Sequence, residues 1–316
     1  MRPWSDSEEN RILSIIFRTS EMIVDVAIIG SGPAGIQAAI HSARKKAKTV
    51  IIGKKANSAL ANAHVENYFG IEGTAHGSDL LRIGLEQARS FGCEIIEQNV
   101  LAAHENNGSF IISTESGKEI TARSIVLATG IQRMKLNIPG EKEFLGKGVS
   151  YCASCDCNFF KGVPIAVIGN ESEAAISATL MTQYASKVYW ITDNTDADPT
   201  LITKAKDAGA EIVASFPSKI EGIKDVTSVV LKDRREITVN GVFIELGGRS
   251  SVDLAIDLGL MPEMDDTILV DRSCETSVKG IYACGDLTGK PWQIAKAVGQ
   301  GAIAGENAAN YSKVVK

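Results

Sequence analysis

The sequence predicts an α/β protein with two Rossmann-like, doubly wound domains. Three stretches of the chain predict this fold, and they begin near residues 24, 163 and 280. Each reads as a short apolar strand that runs through a tight turn into a helix, which is the repeating unit of a parallel sheet covered by helices.

Length and composition agree with a globular protein of two domains. A chain of 316 residues is long enough for two domains of ordinary size, and its hydrophobic content of 44% is sufficient for two cores. The formal net charge is -5 and no dense block of Lys and Arg occurs. Nucleic acid is therefore not expected as a partner.

The N-terminal region shows no targeting or membrane signal. No apolar run approaches the roughly 18 residues that a membrane-spanning helix needs, so no membrane association is predicted. The apolar stretch RILSIIF is shorter than the core of a secretory signal and has no small-residue cleavage site after it. Residues 1–21 are interpreted as an N-terminal extension, and a cytoplasmic location is predicted. In the cytoplasm, cysteines are expected to be reduced, catalytic or metal-binding.

The first strand–turn–helix unit carries a dinucleotide-binding motif. After the apolar residues 24–29, Gly30, Gly32 and Gly35 form the pattern G-x-G-x-x-G at the start of a helix. The first glycine allows the turn, the second lets a pyrophosphate approach the backbone, and the third permits close packing of helix on sheet. Pro33 and Ala34 lie between the second and third glycines and are assigned to the same site. The alternative is a plain βαβ unit without a ligand.

One usual element of this motif is missing. An acidic residue is expected about 20 positions after the glycines, where it holds a ribose diol. Gly53, Lys54 and Lys55 occupy that region instead. The sequence therefore predicts that the ribose is held in another way.

The C-terminal unit places an acidic residue after a strand. The apolar residues 280–283 run into Gly285 and Asp286, and a helix of small residues follows. An Asp at the mouth of a helix can bind the hydroxyls of a polyol chain, while the helix N-terminus faces a pyrophosphate or a flavin edge. Simple capping of the helix by Asp286 is the alternative.

Together these motifs resemble the FAD-binding signature of the thioredoxin reductase family. The resemblance also rests on VLATG (126–130), VENYFG (65–70), NIPGEKEFLGKGVSYCASCD (137–156) and VNGVFIELG (239–247), and it covers residues 22–313. It implies a discontinuous FAD-binding domain, residues 22–147 and 245–316. It also implies an inserted domain, residues 148–244, which carries a redox disulfide and a degenerate NAD(P)H-type fold.

The resemblance also assigns cofactor contacts. It implies that Asp286 binds the ribityl chain, that Asn67 and Gln293 touch the flavin ring, and that the first glycine loop carries the pyrophosphate. The complete implied FAD-binding set is Gly30, Gly32, Pro33, Ala34, Gly35, Asn67, Ala128, Thr129, Gly130, Gly285, Asp286 and Gln293.

The stretch SYCASCDCNFF contains a Cys-x-x-Cys-Asp motif at Cys152, Cys155 and Asp156. This spacing lets two sulfurs bridge across one turn at a helix start, where the thiolate is stabilised and its pKa is depressed. Such a dithiol can receive two electrons from a reduced flavin and pass them on by thiol–disulfide exchange. The resemblance implies that Cys155 is the sulfur nearer the flavin, that Cys152 is its partner, and that Asp156 is the acid/base for the thiolate.

A third nearby cysteine, Cys157, raises the alternative of a zinc or iron–sulfur site. Such a site needs a fourth ligand, and none of the four histidines lies near in sequence. No metal is therefore predicted, and Cys157 is interpreted as a small buried residue. Cys93, Cys274 and Cys284 are interpreted as core or surface residues without a redox role.

The second nucleotide-binding unit has lost its ligand-binding residues. Glu171 occupies the middle glycine of the family's second G-x-G-x-x-A, where its Cβ blocks close approach and its carboxylate repels a diphosphate. Asp193 and Asn194 stand where the family has cations for the 2′-phosphate of NADPH. The sequence favours a lost pyridine nucleotide site. Asp193 leaves open the alternative that a carboxylate holds the ribose diol of NADH.

The sequence therefore favours the pyridine-nucleotide-independent branch of the family. The predicted activity is an FAD-dependent reduction of thioredoxin, or of a thioredoxin-like protein, with ferredoxin as the electron donor. A homodimer is implied by the family. The alternatives are an NAD(P)H- or deazaflavin-dependent thioredoxin reductase, a dithiol oxidase, and a non-enzymatic flavin/disulfide redox sensor.

Overall fold

The computed structural model of the protein describes residues 22–130, 135–151, 153–247 and 251–315. The described residues divide into two compact units. The first unit comprises residues 22–130 and 251–315, and the second comprises residues 135–247. The predicted N-terminal extension, residues 1–21, lies outside the described residues.

Strands and helices alternate along the chain, which confirms the predicted fold class. The first part of the first unit contains β1 (Met22–Ile29), α1 (Pro33–Arg44), β2 (Thr49–Ile52), β3 (His64–Val65), β4 (Ala75–His76), α2 (Gly77–Ser90), β5 (Glu94–Ile96), β6 (Val100–Asn106), β7 (Ser109–Thr114) and β8 (Glu119–Leu127). The second unit contains β9 (Val149–Ser150), α3 (Ala153–Asp156), β10 (Pro164–Ile168), α4 (Ser172–Met181), β11 (Lys187–Thr192), α5 (Pro199–Asp207), β12 (Glu211–Ala214), β13 (Pro217–Gly222), β14 (Val226–Leu231), β15 (Glu236–Thr238) and β16 (Gly241–Ile244). The chain then returns to the first unit with α6 (Ser251–Asp257), β17 (Ile281–Ala283) and α7 (Ile294–Val314).

The main sheet of the first unit has the strand order β5-β2-β1-β8-β7-β6, and β17 also pairs with β8. Strands β5, β2, β1, β8 and β17 run parallel, and Ile28 of β1 lies opposite Ile51 of β2 and Val126 of β8. Residues 26–29 of β1, 49–52 of β2 and 125–127 of β8 are buried and almost all apolar, as expected where a parallel sheet is covered on both faces. The carboxyl ends of β1, β8 and β17 meet at one edge, so the turns that follow them are brought together.

Helices α1 and α7 pack against each other closely enough that two positions on α7 accept only glycine. A Cβ atom on Gly301 would collide with the carbonyl oxygen of Ala34, and one on Gly305 would collide with that of Ala38. The hydroxyl of Ser42 on α1 donates a hydrogen bond to the Gly305 carbonyl oxygen at 3.0 Å. This contact fixes the last turn of α1 relative to α7.

The second unit contains a parallel sheet with the order β12-β11-β10-β16-β9 and an antiparallel sheet, β13-β14-β15. Trp190 of β11 and Phe243 of β16 are fully buried on the face of the parallel sheet that α4 covers. The opposite face packs on the antiparallel sheet through residues such as Val229 and Val242. The Rossmann-like framework of this unit is therefore intact.

Both junctions of the inserted unit lie outside the bounds 148–244 that the family resemblance implies. Residues 135–147 group with the second unit, because Phe144 is buried in its core and the Pro139 carbonyl oxygen accepts a hydrogen bond from the Ile220 amide at 2.9 Å. Residues 245–247 also group with it, and the Glu245 amide donates to the Ile168 carbonyl oxygen at 2.8 Å.

In the part of the chain that the structure describes, every helix is too short or too polar to span a bilayer.

The glycines of α7 give a test of the packing between α1 and α7. We expect Gly305→Ala to destabilise the first unit by about 1–3 kcal/mol, because the new methyl group must push the two helices apart. Gly299 on the same helix is the matched control, since a Cβ there meets no atom within 4 Å. Gly299→Ala should stabilise the helix by about 0.5–1 kcal/mol. Urea unfolding of both variants at one FAD concentration measures the difference, and equal midpoints would contradict the packing argument.

Candidate functional site

The turn between β1 and α1 leaves backbone exposed where an anion can bind. Gly30 has a φ of 115°, and a Cβ there would collide with the Ala128 carbonyl oxygen. A Cβ on Gly35 would collide with the Gly30 carbonyl oxygen, so the third glycine is needed for packing. Gly32 is the N-cap of α1, Pro33 begins the helix, and no side chain caps it. The N–H groups of the first helical turn are therefore not occupied by a capping side chain, and such groups attract phosphate.

A serine within this turn was not singled out by the sequence. Ser31 is 4% exposed, and its hydroxyl has no hydrogen-bond partner among the described residues. A buried hydroxyl without a partner is costly, and a ligand oxygen at this turn would satisfy it. Its position between the first two glycines was the available sequence signal.

The segment 128–130 lies beside the glycine turn. The Ala128 amide donates to the Ile29 carbonyl oxygen at 2.8 Å, which continues the pairing of β8 with β1. Gly130 has a φ of 71°, and its carbonyl oxygen accepts a hydrogen bond from the Ser251 hydroxyl at 2.7 Å. The fold thus brings Ala128, Thr129 and Gly130 to the edge of the sheet where β1 ends.

Gly285 and Asp286 also reach this edge. They lie in a 3-10 turn, Gly285–Thr288, and a Cβ on Gly285 would lie 2.8 Å from the Ala34 Cβ in the first turn of α1. The Asp286 carboxylate is half-buried and makes no hydrogen bond with the described residues. Burial raises the pKa of this carboxyl, and the Lys296 ammonium opposes the rise. The Asp286 carboxylate can therefore accept hydrogen bonds from donors such as the hydroxyls of a polyol.

The surroundings of Asp286 differ from the helix mouth that the sequence suggested. Helix α7 begins only at Ile294 and Gln293 is its N-cap residue, so Asp286 does not cap it. Gly289, with a φ of 94°, and Pro291, which has no amide hydrogen, separate the 3-10 turn from the helix. The capping alternative for Asp286 is therefore wrong for α7.

The two side chains assigned to the flavin ring meet each other. The Asn67 amide group donates to the Gln293 side-chain oxygen at 3.1 Å, although the residues are 226 positions apart. Both side chains are exposed on the first unit. Their contact places them at one location near the start of α7.

Two further residues that the sequence did not single out hold the 3-10 turn. Lys296 and Gln300 lie one helical turn apart on α7 and both bond to the turn. A lysine in the first turn of a helix opposes the helix dipole, and this was the sequence signal for Lys296.

In the second unit, the chain itself covers the degenerate nucleotide loop. The Asn170 carbonyl oxygen accepts hydrogen bonds from the Asp196 amide at 2.7 Å and from the Thr195 hydroxyl at 3.2 Å. The Asp198 amide donates to the Ser172 hydroxyl oxygen at 3.1 Å. Glu171, between these anchor points, is 8% exposed. The segment after β11 is thus bonded onto the loop where a dinucleotide would cross.

The Cys-x-x-Cys motif lies on α3. Cys152 lies outside the described residues, and Cys155 belongs to this helix. Asp156 ends the helix, and its half-buried carboxylate makes no hydrogen bond with the described residues. The Ala153 amide at the helix start donates to the buried Glu245 carboxylate at 3.0 Å. Sequence reasoning missed Glu245, for which no local signal exists.

The other cysteines are buried. Cys157 is 4% exposed and packs in the core of the second unit, as expected for a small buried residue. Burial raises the pKa of Cys93 to about 12 and that of Cys274 to about 11, and it raises the pKa of Cys284 even further. Thiolates are therefore rare at these three positions, which disfavours redox chemistry there.

Among the described side chains, which do not include those of Cys152 and Cys155, no group of three or more His, Cys, Asp or Glu could hold a metal ion.

The first unit fits FAD. The start of α1 has no capping side chain and suits the pyrophosphate. The Ser31 hydroxyl, which has no hydrogen-bond partner among the described residues, can bond to the pyrophosphate, and the half-buried Asp286 carboxylate suits the ribityl hydroxyls. The fold and this site define a flavin-dependent oxidoreductase of the Rossmann type.

The chain belongs to the pyridine nucleotide-disulphide oxidoreductase family, whose model matches residues 24–301. A thioredoxin reductase of Aquifex aeolicus is 38% identical over 284 residues, which cover 86% of this chain and 88% of that protein. A thioredoxin reductase of Listeria innocua is 35% identical over 313 residues, which cover 94% of this chain and 97% of that protein. FAD is the cofactor of this group of enzymes and of this protein.

Solved structures give the same relationship. The atypical thioredoxin reductase TRi from Desulfovibrio vulgaris Hildenborough has a TM-score of 0.76 at 34% identity, with 92% of this chain and 98% of that chain covered. A ferredoxin-flavin thioredoxin reductase from Clostridium acetobutylicum has a TM-score of 0.65 at 34% identity, with the same coverage.

The Asp286 carboxylate gives a direct test of the cofactor site. We expect Asp286→Ala to weaken FAD binding by about 1–3 kcal/mol, or roughly 5- to 150-fold in Kd, because a half-buried acceptor is removed. Reconstitution of the apoprotein, followed by flavin fluorescence, measures this change. Asp233→Ala is the control, since Asp233 is an exposed carboxylate of the second unit that pairs with Arg235. Equal FAD affinity in both variants would contradict the role of Asp286.

Proposed function

We propose that this protein is a thioredoxin reductase that reduces thioredoxin, or a thioredoxin-like protein, through Cys152 and Cys155, with ferredoxin rather than NADPH as the electron donor. The family membership and the FAD site support the reductase activity. The closed nucleotide loop of the second unit is the observation that carries the choice of donor.

The chemistry that FAD supplies when bound is the collection of electrons from a donor and their delivery in pairs to a disulfide. The Cys152–Cys155 disulfide takes up two electrons and two protons and becomes a dithiol. One thiolate then attacks the disulfide of the partner protein and forms a mixed disulfide, and the second cysteine displaces the remaining partner sulfur as a thiol. The protein disulfide is thereby restored, and the partner leaves reduced.

Asp156 is suited to proton transfer at the Cys155 sulfur. It follows Cys155 directly on α3, and its half-buried carboxylate makes no hydrogen bond with the described residues. A carboxylate without a competing donor can accept a thiol proton and return it. We therefore assign to Asp156 the role of acid/base for Cys155.

The hydrogen bonds between residues 195–198 and the degenerate loop support the loss of a pyridine nucleotide site. In a Rossmann fold, the dinucleotide crosses the carboxyl ends of the strands between these two loops. Here the Asp196 amide bonds directly to the Asn170 carbonyl oxygen at 2.7 Å. A ligand must break these bonds and also approach the Glu171 position, which lacks a glycine. Asp193 is exposed, so the NADH alternative would have to overcome the same closure.

One solved neighbour supports ferredoxin as the donor, since it is named as a ferredoxin-flavin thioredoxin reductase. Other neighbours of similar identity are named simply as thioredoxin reductases, so the choice of donor rests mainly on the nucleotide loop of the second unit. A homodimer with a cytoplasmic location stays a prediction that rests on the family resemblance and on the sequence.

The cysteine assignments are tested by three single substitutions. We expect Cys152→Ser and Cys155→Ser each to abolish thioredoxin reduction, because neither remaining thiol can form the exchangeable disulfide. Cys157→Ser is the matched control and should keep most of the turnover, since Cys157 is a core residue. Insulin-coupled thioredoxin reduction measures all three. Equal loss in the three variants, or stoichiometric zinc or iron in the protein, would favour the metal alternative instead.

The donor is tested by anaerobic titration of the flavin absorbance. We expect millimolar NADPH or NADH to leave the flavin oxidised. For NADPH, each cation that is missing at the 2′-phosphate costs roughly 1.5–3 kcal/mol of binding free energy, and a hydrated carboxylate near phosphate costs about 1 kcal/mol. Together these losses raise the Kd of NADPH about a thousandfold or more. Reduced ferredoxin should bleach the flavin and then support thioredoxin reduction, and dithionite is the control that the flavin is reducible.

Bleaching by micromolar NADPH would overturn the choice of donor while leaving the reductase activity intact. Oxygen consumption with small dithiols would favour a dithiol oxidase. Tight FAD binding without turnover of any thioredoxin would favour a redox sensor.

A further inference from the structure

Lys296 makes an unusual set of contacts in the cofactor-binding unit. It lies in the first turn of α7, and its ammonium donates to the Gly285 carbonyl oxygen at 2.7 Å, to the Thr288 hydroxyl oxygen at 3.0 Å and to the Gly289 carbonyl oxygen. All three acceptors belong to one segment, residues 285–289. A positive charge in the first helical turn is unfavourable to the helix dipole, so these bonds must compensate for its position.

Gln300 holds the same segment from one turn further along α7. Its side-chain oxygen accepts hydrogen bonds from the Gly285 amide at 3.0 Å and from the Thr288 hydroxyl at 2.8 Å. Lys296 and Gln300 therefore fix both ends of residues 285–289 against one face of α7.

Asp286 lies within the segment that these side chains fix. Its carboxylate is half-buried, and Lys296 is the charged group that acts on it. Asp286, Cys284 and Cys274 are in turn the titratable groups that act on Lys296. Burial raises the pKa of Asp286 and lowers that of Lys296, and the attraction between the two side chains opposes both shifts. Each side chain thus favours the charged form of the other.

We propose that Lys296 is a positioning residue for the cofactor, which fixes residues 285–289 and thereby presents Asp286 as the acceptor for the ribityl hydroxyls. The proposal rests on FAD binding at this site and is independent of the electron donor and of thioredoxin reduction. It assigns to Lys296 both a geometric effect, through three hydrogen bonds, and an electrostatic effect, through its charge.

The electrostatic effect has a definite sign. Asp286 binds the hydroxyls best as a carboxylate, so its contribution is present above its pKa and is lost as the pH falls through that pKa. Without the Lys296 charge, burial of Asp286 is no longer opposed and its pKa rises further. The loss of FAD affinity on acidification should therefore begin at a higher pH when Lys296 is neutralised.

The test is the Kd of FAD for the apoprotein, measured by flavin fluorescence between pH 5 and pH 8. We expect Lys296→Met to raise the Kd of FAD about tenfold at pH 8, because its hydrogen bonds no longer fix residues 285–289. As the pH falls, the Kd of this variant should rise more steeply than that of the parent protein. Lys296→Arg, which keeps the charge and the donors, should restore the parent pH profile. Lys313→Met, near the other end of α7, is the control for a lysine that does not contact residues 285–289.

Asp286→Asn separates the two effects, because an amide does not titrate. In the Lys296→Met background it should abolish the extra dependence on pH. An unchanged Kd and pH profile in Lys296→Met would overturn the proposal. A uniform loss of affinity at all pH values, unaffected by Asp286→Asn, would overturn the ionisation of Asp286 as the mechanism. If Lys296→Met fails to fold, Lys296→Gln is judged by the same two criteria.

Discussion

The close contact between helices α1 and α7 is the constraint on which the FAD site depends. Gly301 and Gly305 let the two helices approach until the α7 backbone meets carbonyl oxygens of α1. This approach brings the turn that carries Gly285 against Ala34 in the first turn of α1. The pyrophosphate-binding turn and the acidic residue for the polyol chain come from opposite ends of the sequence. They form one site because small residues remove the volume that would separate them.

The second unit keeps a Rossmann framework although glutamate occupies position 171 of its nucleotide loop. A Cβ on Gly169 would collide with the Glu245 carbonyl oxygen, so packing alone requires glycine there. The middle position of the motif has no such requirement, because its glycine serves only the approach of a pyrophosphate. Glu171 can occupy it, and the segment 195–198 can close over the loop.

Burial and local polarity separate the cysteines into different chemical classes. Three thiols of the first unit lie in its core, where desolvation keeps them protonated. The start of α3 is different, since the Ala153 amide is engaged by the Glu245 carboxylate. A protein carboxylate therefore occupies one of the amide donors at this helix start.

Local sequence determined those features that depend on a few adjacent residues. Three such features each impose a backbone or charge requirement that can be recognised within six residues. They are the glycines at 30, 32 and 35, the Cys-x-x-Cys-Asp motif and the glutamate at 171. The apolar strands predicted the α/β fold for the same reason. Asn67 and Gln293 were assigned only through family resemblance, because no local pattern connects them.

Tertiary structure decided the features that depend on distant parts of the chain. Four features have no signal in the sequence around them. They are the Ser31 hydroxyl without a partner among the described residues, the hydrogen bonds of Lys296 to residues 285–289, the hydrogen bond of Asp196 to the nucleotide loop, and the junctions of the inserted unit. Burial and hydrogen bonding depend on which segments meet in space, and a segment's own sequence does not specify its distant partner. A local motif therefore determines the conformation and close approach that its backbone allows, whereas the fold determines which side chains lie around that backbone.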